Sequence, residues 1–135
     1  MKATVKYAGD ELFIATSPSG YAQVIDTKSD RHSAPTPMEM LLISVAACTG
    51  VDVISILQKK RQDVTAYDIN VTGERREEHP RAFTSFHVHH IVHGHNVSDK
   101  AVAAAIELSE TKYCSVAATV RPTAVVTSSF EIIET

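Results

Sequence analysis

The chain has 135 residues, 44% of them hydrophobic and 21% charged, an ordinary composition for one globular domain. Its net charge of -3 disfavours nucleic-acid binding, because contacts to phosphates require clustered Lys and Arg. No apolar stretch follows a basic start, so no secretory signal is predicted. Two cysteines 66 positions apart, without such a signal, do not resemble a secreted disulfide framework. We therefore expect a cytoplasmic protein with a single domain over residues 1–135.

The first thirty residues have the pattern of short strands. Val5 and Tyr7 alternate with less apolar neighbours, and a second apolar run follows at Leu12–Ala15. A turn signal with Pro and Gly then precedes a third run, Tyr21–Ile25. This order predicts a small antiparallel meander, followed by a polar loop over Lys28–Pro35.

The strongest local signal marks the start of a long helix. Thr36 as N-cap, Pro37 at the first helical position and Glu39 at the third form a capping box with the favoured proline. The helix is expected to run from Pro37 to about Lys60, where basic residues suit its C-terminal end. It is apolar nearly all round, which is typical of a helix buried on most sides or of a membrane span. Interrupting polar residues and the lack of a second candidate span favour a central core helix.

The second half of the chain returns to strands and shorter helices. Two strands, at 66–72 and 82–92, are predicted to flank a charged turn. A helix capped by Ser98 is expected at 99–111, a short helix between Cys114 and Pro122, and a final strand at 123–133. This order predicts an α+β fold with mainly antiparallel sheet around a long central helix. The surplus apolar surface of that helix favours a partner chain as its cover.

The two cysteines are the first candidates for chemistry. Cys48 lies mid-helix among small residues, where apolar surroundings would raise the pKa of its thiol unless a cation or a donor lies nearby. Cys114 lies at the expected start of a short helix, where free N–H groups would lower the pKa of its thiol. From the residues alone, two inert cysteines that pack as small hydrophobes remain an alternative.

The helix that carries Cys48 resembles a known family motif. Pro37–Leu42 followed by Ala46-Ala47-Cys48 resembles the Pro-Glu-x-Leu…Ala-Ala-Cys helix of the OsmC/Ohr family, the osmotically inducible protein C and organic hydroperoxide resistance proteins. The likeness extends over the whole chain and is strongest to the YhfA-type branch, as segments 55–59, 74–78 and 112–117 indicate. It implies an OsmC-like intertwined homodimer with two long central helices enclosed by sheets and thiol sites at the subunit interface.

The resemblance also implies a chemistry and the residues that perform it. Cys48 would attack the O–O bond of a small organic hydroperoxide, and Cys114 would resolve the product to a disulfide. A dithiol reductant such as dihydrolipoamide would complete the cycle without a metal or bound cofactor. The alternative is a non-catalytic OsmC-fold protein that binds a small apolar or thiol ligand at the dimer interface.

Two positions depart from the pattern of the family's peroxidases. Those enzymes use an Arg from an early strand, whereas no Arg precedes Arg31 here. They also carry a catalytic Glu directly after the helix proline, a position that Met38 holds. Glu39 follows one residue later, about 100° further round the helix. It is a candidate first for capping and second for catalysis.

A histidine-rich strand is the remaining unusual segment. Four imidazoles are expected on one face: His87, His89, His93 and His95. His90 is expected to point the other way, towards the core, with its apolar neighbours. Two His at i and i+2 can share a transition metal, but the exposed face of a half-buried strand explains the same pattern. Metal binding therefore stays an alternative hypothesis.

Overall fold

A computed structural model describes all 135 residues, which form two compact units, Met1–Leu41 and Leu42–Thr135. The single domain expected from the sequence stays a prediction. The elements mix helix and strand, with two three-stranded sheets and one long helix, so the α+β expectation is confirmed.

The first unit contains the expected meander. Its strands are β1 (Thr4–Gly9), β2 (Leu12–Thr16) and β3 (Ala22–Asp26), antiparallel and in that order. Gly9 has a φ of 89°, which its lack of a side chain permits, and this lets the chain reverse tightly between β1 and β2. The meander prediction is confirmed.

The loop after β3 is fixed by a buried carboxylate. Asp26 is fully buried, and the Arg31 guanidinium donates to both of its oxygens at 2.8 and 3.0 Å. The Ser33 hydroxyl donates to the same carboxylate at 2.6 Å, and Arg31 also reaches Asp10 at 2.7 Å. Hydrogen bonds from Arg31 and then Ser33 hold the pKa of Asp26 far below its usual range. A buried charge is tolerated here because it is paired and hydrogen-bonded.

The long helix α1 (Pro37–Lys59) begins at the predicted capping box. The Glu39 N–H donates to the Thr36 hydroxyl at 3.2 Å, and the Thr36 N–H donates to the Glu39 carboxylate at 2.9 Å. These reciprocal bonds satisfy two donors that the first turn would otherwise leave free. The capping prediction is confirmed at the level of single hydrogen bonds.

The second unit contains the larger sheet and the remaining helices. Its elements after α1 are β4 (Asp63–Arg75), β5 (Phe83–His95), α2 (Asp99–Leu108), a π-helical turn (Ser109–Tyr113), α3 (Ser115–Val120) and β6 (Val125–Glu134). The sheet order is β4-β5-β6; β4 and β5 are antiparallel, and β6 is parallel to β5. Ser98 accepts the Ala101 N–H, which confirms the N-cap of α2. The predicted helix over 99–111 is wrong at its end, since α2 gives way to the wider turn after Leu108.

The core of this unit lies between α1, α2 and the sheet. Its buried residues include Val53 and Leu57 of α1, Val92 of β5 and Val102 of α2. Burial of α1 follows one side of the helix, whereas on another side Val51 keeps 67% of its surface exposed. Within one chain, one sheet and one helix cover only one face of α1, and the exposed apolar side is the surface for which a partner chain was expected.

By length and composition, α1 could also cross a membrane. An 18-residue window has a mean hydropathy of 2.2, and 33% of that window is buried. One such helix is weak support for a membrane protein, because core helices of soluble proteins have the same composition.

The histidine strand has the predicted alternation. His90 is fully buried together with Phe86, Val88 and Val92, and the alternate imidazoles face outwards. Both nitrogens of His87 are within hydrogen-bonding distance of β6 hydroxyls, at 2.7 and 2.8 Å. These contacts favour the reading of an ordinary polar sheet face.

Candidate thiol site

Cys48 lies at a point where α1 comes close to the sheet. Its side chain is half-buried, and small residues surround it along the helix. A Cβ added two residues later, at Gly50, would lie 2.5 Å from Cδ1 of Ile69 on β4. The absence of a side chain at Gly50 therefore lets α1 approach β4 closely, on the side of the helix roughly opposite Cys48.

Cys114 is the N-cap of α3 and is almost completely buried, with 3% of its surface exposed. Its sulfur accepts a hydrogen bond from the Ala117 N–H at 3.4 Å. Its own N–H donates to the Ser109 carbonyl at 2.8 Å, which closes the π-helical turn. The backbone on both sides therefore fixes where this thiol points.

The structure brings the two cysteines together. They lie 66 positions apart in the sequence, yet in the second unit Cys48 lies near enough to Cys114 to raise the pKa of its thiol, and both cysteines are free. The separation of the two cysteines in the sequence does not by itself predict that they lie close together.

The acidity of Cys114 differs from the sequence expectation. Burial, the largest cause, raises the pKa of the Cys114 thiol to about 11, and the Ala117 N–H opposes the rise. The Cys48 thiol and then the Asp52 carboxylate raise it further. The expected lowering by a helix N-terminus is wrong because a helix of six residues offers little against the loss of solvent. At neutral pH, Cys114 is a thiol and not a thiolate.

A small polar network lies beside the cysteine pair. The Ser109 hydroxyl donates to the Asp52 carboxylate at 2.8 Å and shares a 3.0 Å hydrogen bond with the hydroxyl of Thr49, the residue after Cys48. Thr49 and Ser109 are both buried. Single π-helical turns are frequent at functional sites, and this one carries Ser109 at its start and Cys114 directly after its end.

Sequence reasoning missed the two network members that act across helices, Asp52 and Ser109. Asp52 is one of the polar residues that interrupt the apolar pattern of α1, and Ser109 falls inside the helix predicted over 99–111. The one signal that could have singled out Asp52 is its place four residues after Cys48, on the same side of α1.

A pocket opens next to this network. Its volume is about 390 Å³, within the range of small-molecule sites. One side is a face of α1 and the residue after it, and the other comes from the end of α2 and the π-helical turn; the lining residues are Val51, Asp52, Ser55, Ile56, Lys59, Lys60, Leu108 and Tyr113. Because Asp52 belongs to both the lining and the network, the pocket and the thiols adjoin.

Glu39 and Arg31 both have hydrogen-bond partners in the first unit. Hydrogen bonds from the Thr36 backbone and then its side chain lower the pKa of Glu39, so this carboxyl is ionised and engaged in capping. Arg31 is bound to Asp26 and Asp10. A catalytic part for Glu39 stays a prediction. As for metals, no group of three His, Cys, Asp or Glu side chains is arranged to hold an ion.

Comparison with known proteins gives consistent matches. The OsmC-like protein family matches residues 29–129. Protein YhfA of Escherichia coli (strain K12) is 44% identical over 133 residues, which cover 98% of each chain. The crystal structure of a hypothetical protein from Aquifex aeolicus is 32% identical with a TM-score of 0.88, over 99% of this chain and 96% of that one.

A more distant structure carries a functional name. The organic hydroperoxide resistance protein from Elizabethkingia anophelis is 12% identical with a TM-score of 0.70, over 96% of this chain and 93% of that one. At this identity the likeness concerns the fold.

The helix α1 carries Cys48, and Cys114 lies nearby as the N-cap of α3. The protein is therefore a small thiol protein of α+β fold. The chain belongs to the OsmC-like protein family.

Proposed function

We propose that this protein is a cysteine-dependent reductase of small organic hydroperoxides that serves oxidative or osmotic stress defence. The observation that carries the proposal is that one unit of the fold brings Cys48 near enough to Cys114 to raise the pKa of the Cys114 thiol. Fold-level likeness to an organic hydroperoxide resistance protein supports the same substrate class.

The two thiols have different parts because their surroundings differ. Cys48 is the more exposed and can meet a hydroperoxide, whereas Cys114 is buried and protonated. The Cys48 thiolate attacks the terminal oxygen of the hydroperoxide; the O–O bond breaks, the alkoxide leaves and takes a proton, and Cys48 becomes a sulfenic acid. Cys114 then displaces the hydroxyl as water and forms a disulfide, which a dithiol such as dihydrolipoamide reduces.

The pocket supplies a place for the organic part of the substrate. Its apolar walls, Val51, Ile56 and Leu108, suit an aryl or alkyl group. Asp52 at its edge leads towards the cysteine pair. A hydroperoxide with its apolar body in this pocket would direct its O–O bond towards Cys48.

The protein is proposed to act as a homodimer in the cytoplasm. Val51 and Ile43 on α1 are 67% and 55% exposed, so the helix offers apolar surface that a second copy would cover. The OsmC/Ohr resemblance implies that cover, with the thiol site at the subunit interface.

A second candidate function follows because the Arg and the Glu of the family's peroxidases are absent from their usual positions in this chain. Arg31 pairs with Asp26, and Glu39 caps α1, so neither is free of other bonds to support a thiolate. A protein without that support would use the pocket to bind a small apolar or thiol ligand without turnover.

Turnover of cumene hydroperoxide with dihydrolipoamide decides between the two. The wild type should consume peroxide continuously, Cys48→Ser should abolish consumption, and Cys114→Ser should allow at most one equivalent per chain before regeneration fails. If Cys48→Ser consumes peroxide as fast as wild type, the reductase proposal is wrong.

A further inference from the structure

The pocket beside the thiol site differs in charge between its two ends. Along α1 its lining residues follow one side of the helix, from Asp52 through Ile56 in the next turn to Lys59 and Lys60 where the helix ends. A carboxylate therefore lies at one end of the pocket and two ammonium groups at the other. Asp52 and Lys59 are seven positions apart, which separates the two ends by about 10 Å along the helix axis.

The two lysines have no counter-ion within the chain. None of its ion pairs includes Lys59 or Lys60. The carboxylate of the pocket, that of Asp52, accepts the Ser109 hydroxyl at 2.8 Å at the opposite end. The C-terminal end of α1 favours basic residues, but its partial charge of roughly half an elementary charge does not neutralise two ammonium groups. The pocket therefore has a positive end that lacks a partner, in a chain whose net charge is -3.

The middle of the pocket is apolar. Ile56 of α1, Leu108 of α2 and Tyr113 of the π-helical turn line it. Leu108 and Tyr113 are 37% and 50% exposed, so the core does not cover this apolar surface. Apolar walls with a few polar groups at fixed positions are typical of a site that binds a small molecule in one orientation.

We propose that this pocket binds an amphipathic anion, a small molecule with a carboxylate at one end of an apolar body. Lys59 and Lys60 bind the carboxylate, and the apolar middle covers the body of the ligand. Asp52 repels negative charge, so the uncharged end of the ligand lies at its side of the pocket. The inference rests on the proposed function in taking this pocket as the substrate site, and it names the charge that a substrate carries there.

This orientation has a consequence for the thiol site. Cys48 lies four residues before Asp52 on the same side of α1. A ligand that is held by its carboxylate at Lys59 and Lys60 therefore directs its far end towards Cys48. In a substrate bound in this way, the group that reacts with Cys48 is the one most distant from the carboxylate.

Titration of the isotopically labelled protein with octanoate, followed by amide NMR signals, tests the binding. Octanoate has an extended length close to the separation of the two ends, and octanol and octylammonium have the same chain without the negative charge. Octanoate should shift the signals of Ser55, Leu108 and Tyr113 and bind about fivefold more tightly than octanol, because two exposed ion pairs together contribute about that factor. Octylammonium should bind more weakly than octanol. Equal affinities for the three probes, or shifts confined to residues outside the pocket, would overturn the proposal.

Two double variants with the same net charge test the lysines. Lys59→Gln with Lys60→Gln removes both ammonium groups of the pocket, whereas Lys2→Gln with Lys100→Gln removes two exposed lysines that do not line it. The pocket variant should bind octanoate about fivefold more weakly than wild type and octanol equally well. The control variant should bind both probes as wild type does. Equal losses of octanoate affinity in the two double variants would show that net charge attracts the anion, and would overturn the role of the lysines.

The outcomes separate this inference from the proposed function. None of the binding measurements requires a hydroperoxide, so octanoate binding that depends on Lys59 and Lys60 would stand even in a protein without turnover. An active reductase whose octanoate binding is unchanged in the pocket variant would refute the anion site and leave the reductase proposal intact.

Discussion

The buried histidine of β5 predicts a distinct acid sensitivity. His90 is fully buried; its Nδ1 is 2.6 Å from the Tyr67 hydroxyl, and its Nε2 has no hydrogen-bond partner. Burial, and then the neighbouring His89, lower the pKa of His90 to about 4. A proton added to this ring would create a buried charge, which is costly.

The magnitude follows from the difference between the folded and unfolded pKa values. His90 titrates near 6.5 in the unfolded chain and near 4 in the folded one. Above pH 6.5 the His90 ring is neutral in both the folded and the unfolded state, and its titration costs no stability. As pH falls towards 4, the ring binds a proton in the unfolded state but not in the folded state, so the free energy of unfolding decreases. At 1.36 kcal/mol per unit, the free energy of unfolding should fall by roughly 3 kcal/mol across this window.

Urea unfolding of wild type and His90→Gln at a series of pH values between 7 and 4 measures this loss. The Gln side chain keeps an acceptor for Tyr67 but does not titrate, so the variant should lose much less stability in the window. His95→Gln removes an exposed imidazole from the same strand and serves as the matched control, with the wild-type slope expected. Parallel curves for wild type and His90→Gln would refute the reasoning.

Three further predictions concern a close contact, a buried ion pair and the pocket. Gly94→Ala should destabilise the fold by about 2 kcal/mol or more in urea unfolding, since its Cβ would clash with the Asp63 carbonyl oxygen, and unchanged stability would contradict this contact. Arg31→Gln should lower the melting temperature at pH 7, and because Arg31 depresses the pKa of Asp26, the difference should shrink below about pH 4, near the ordinary value of 3.8; an equal difference at pH 3 and 7 would speak against the pairing. Ser55→Trp should fill the pocket and slow cumene hydroperoxide more than hydrogen peroxide in turnover assays, whereas equal slowing would show that the pocket does not hold the organic group.

Features set by local chemistry could be predicted from the sequence. The capping box of Thr36 and Glu39 needs only four consecutive residues, and the structure contains both of its hydrogen bonds. The alternation that buries His90 likewise follows from strand geometry alone. The order of the predicted elements indicated the α+β fold, and the family motif around Cys48 indicated its OsmC-like form, which the comparisons support.

Features that depend on contacts between residues far apart in the sequence could not be predicted. The π-helical turn places Ser109 against Thr49 and Asp52, which lie 60 and 57 positions earlier in the chain. The parallel pairing of β6 with β5 has no local signal either. The acidity of Cys114 was predicted with the wrong sign because burial, a tertiary property, outweighs the first turn of α3.

The central claim is that Cys48 and Cys114 act as a redox pair, and mass spectrometry after a brief exposure of the reduced protein to an organic hydroperoxide tests it most directly. The account predicts a Cys48–Cys114 disulfide that is absent in Cys48→Ser and in Cys114→Ser and that a dithiol reverses. Thiols that both stay reduced, or a Cys48 that passes slowly to over-oxidised forms without a disulfide, would contradict it.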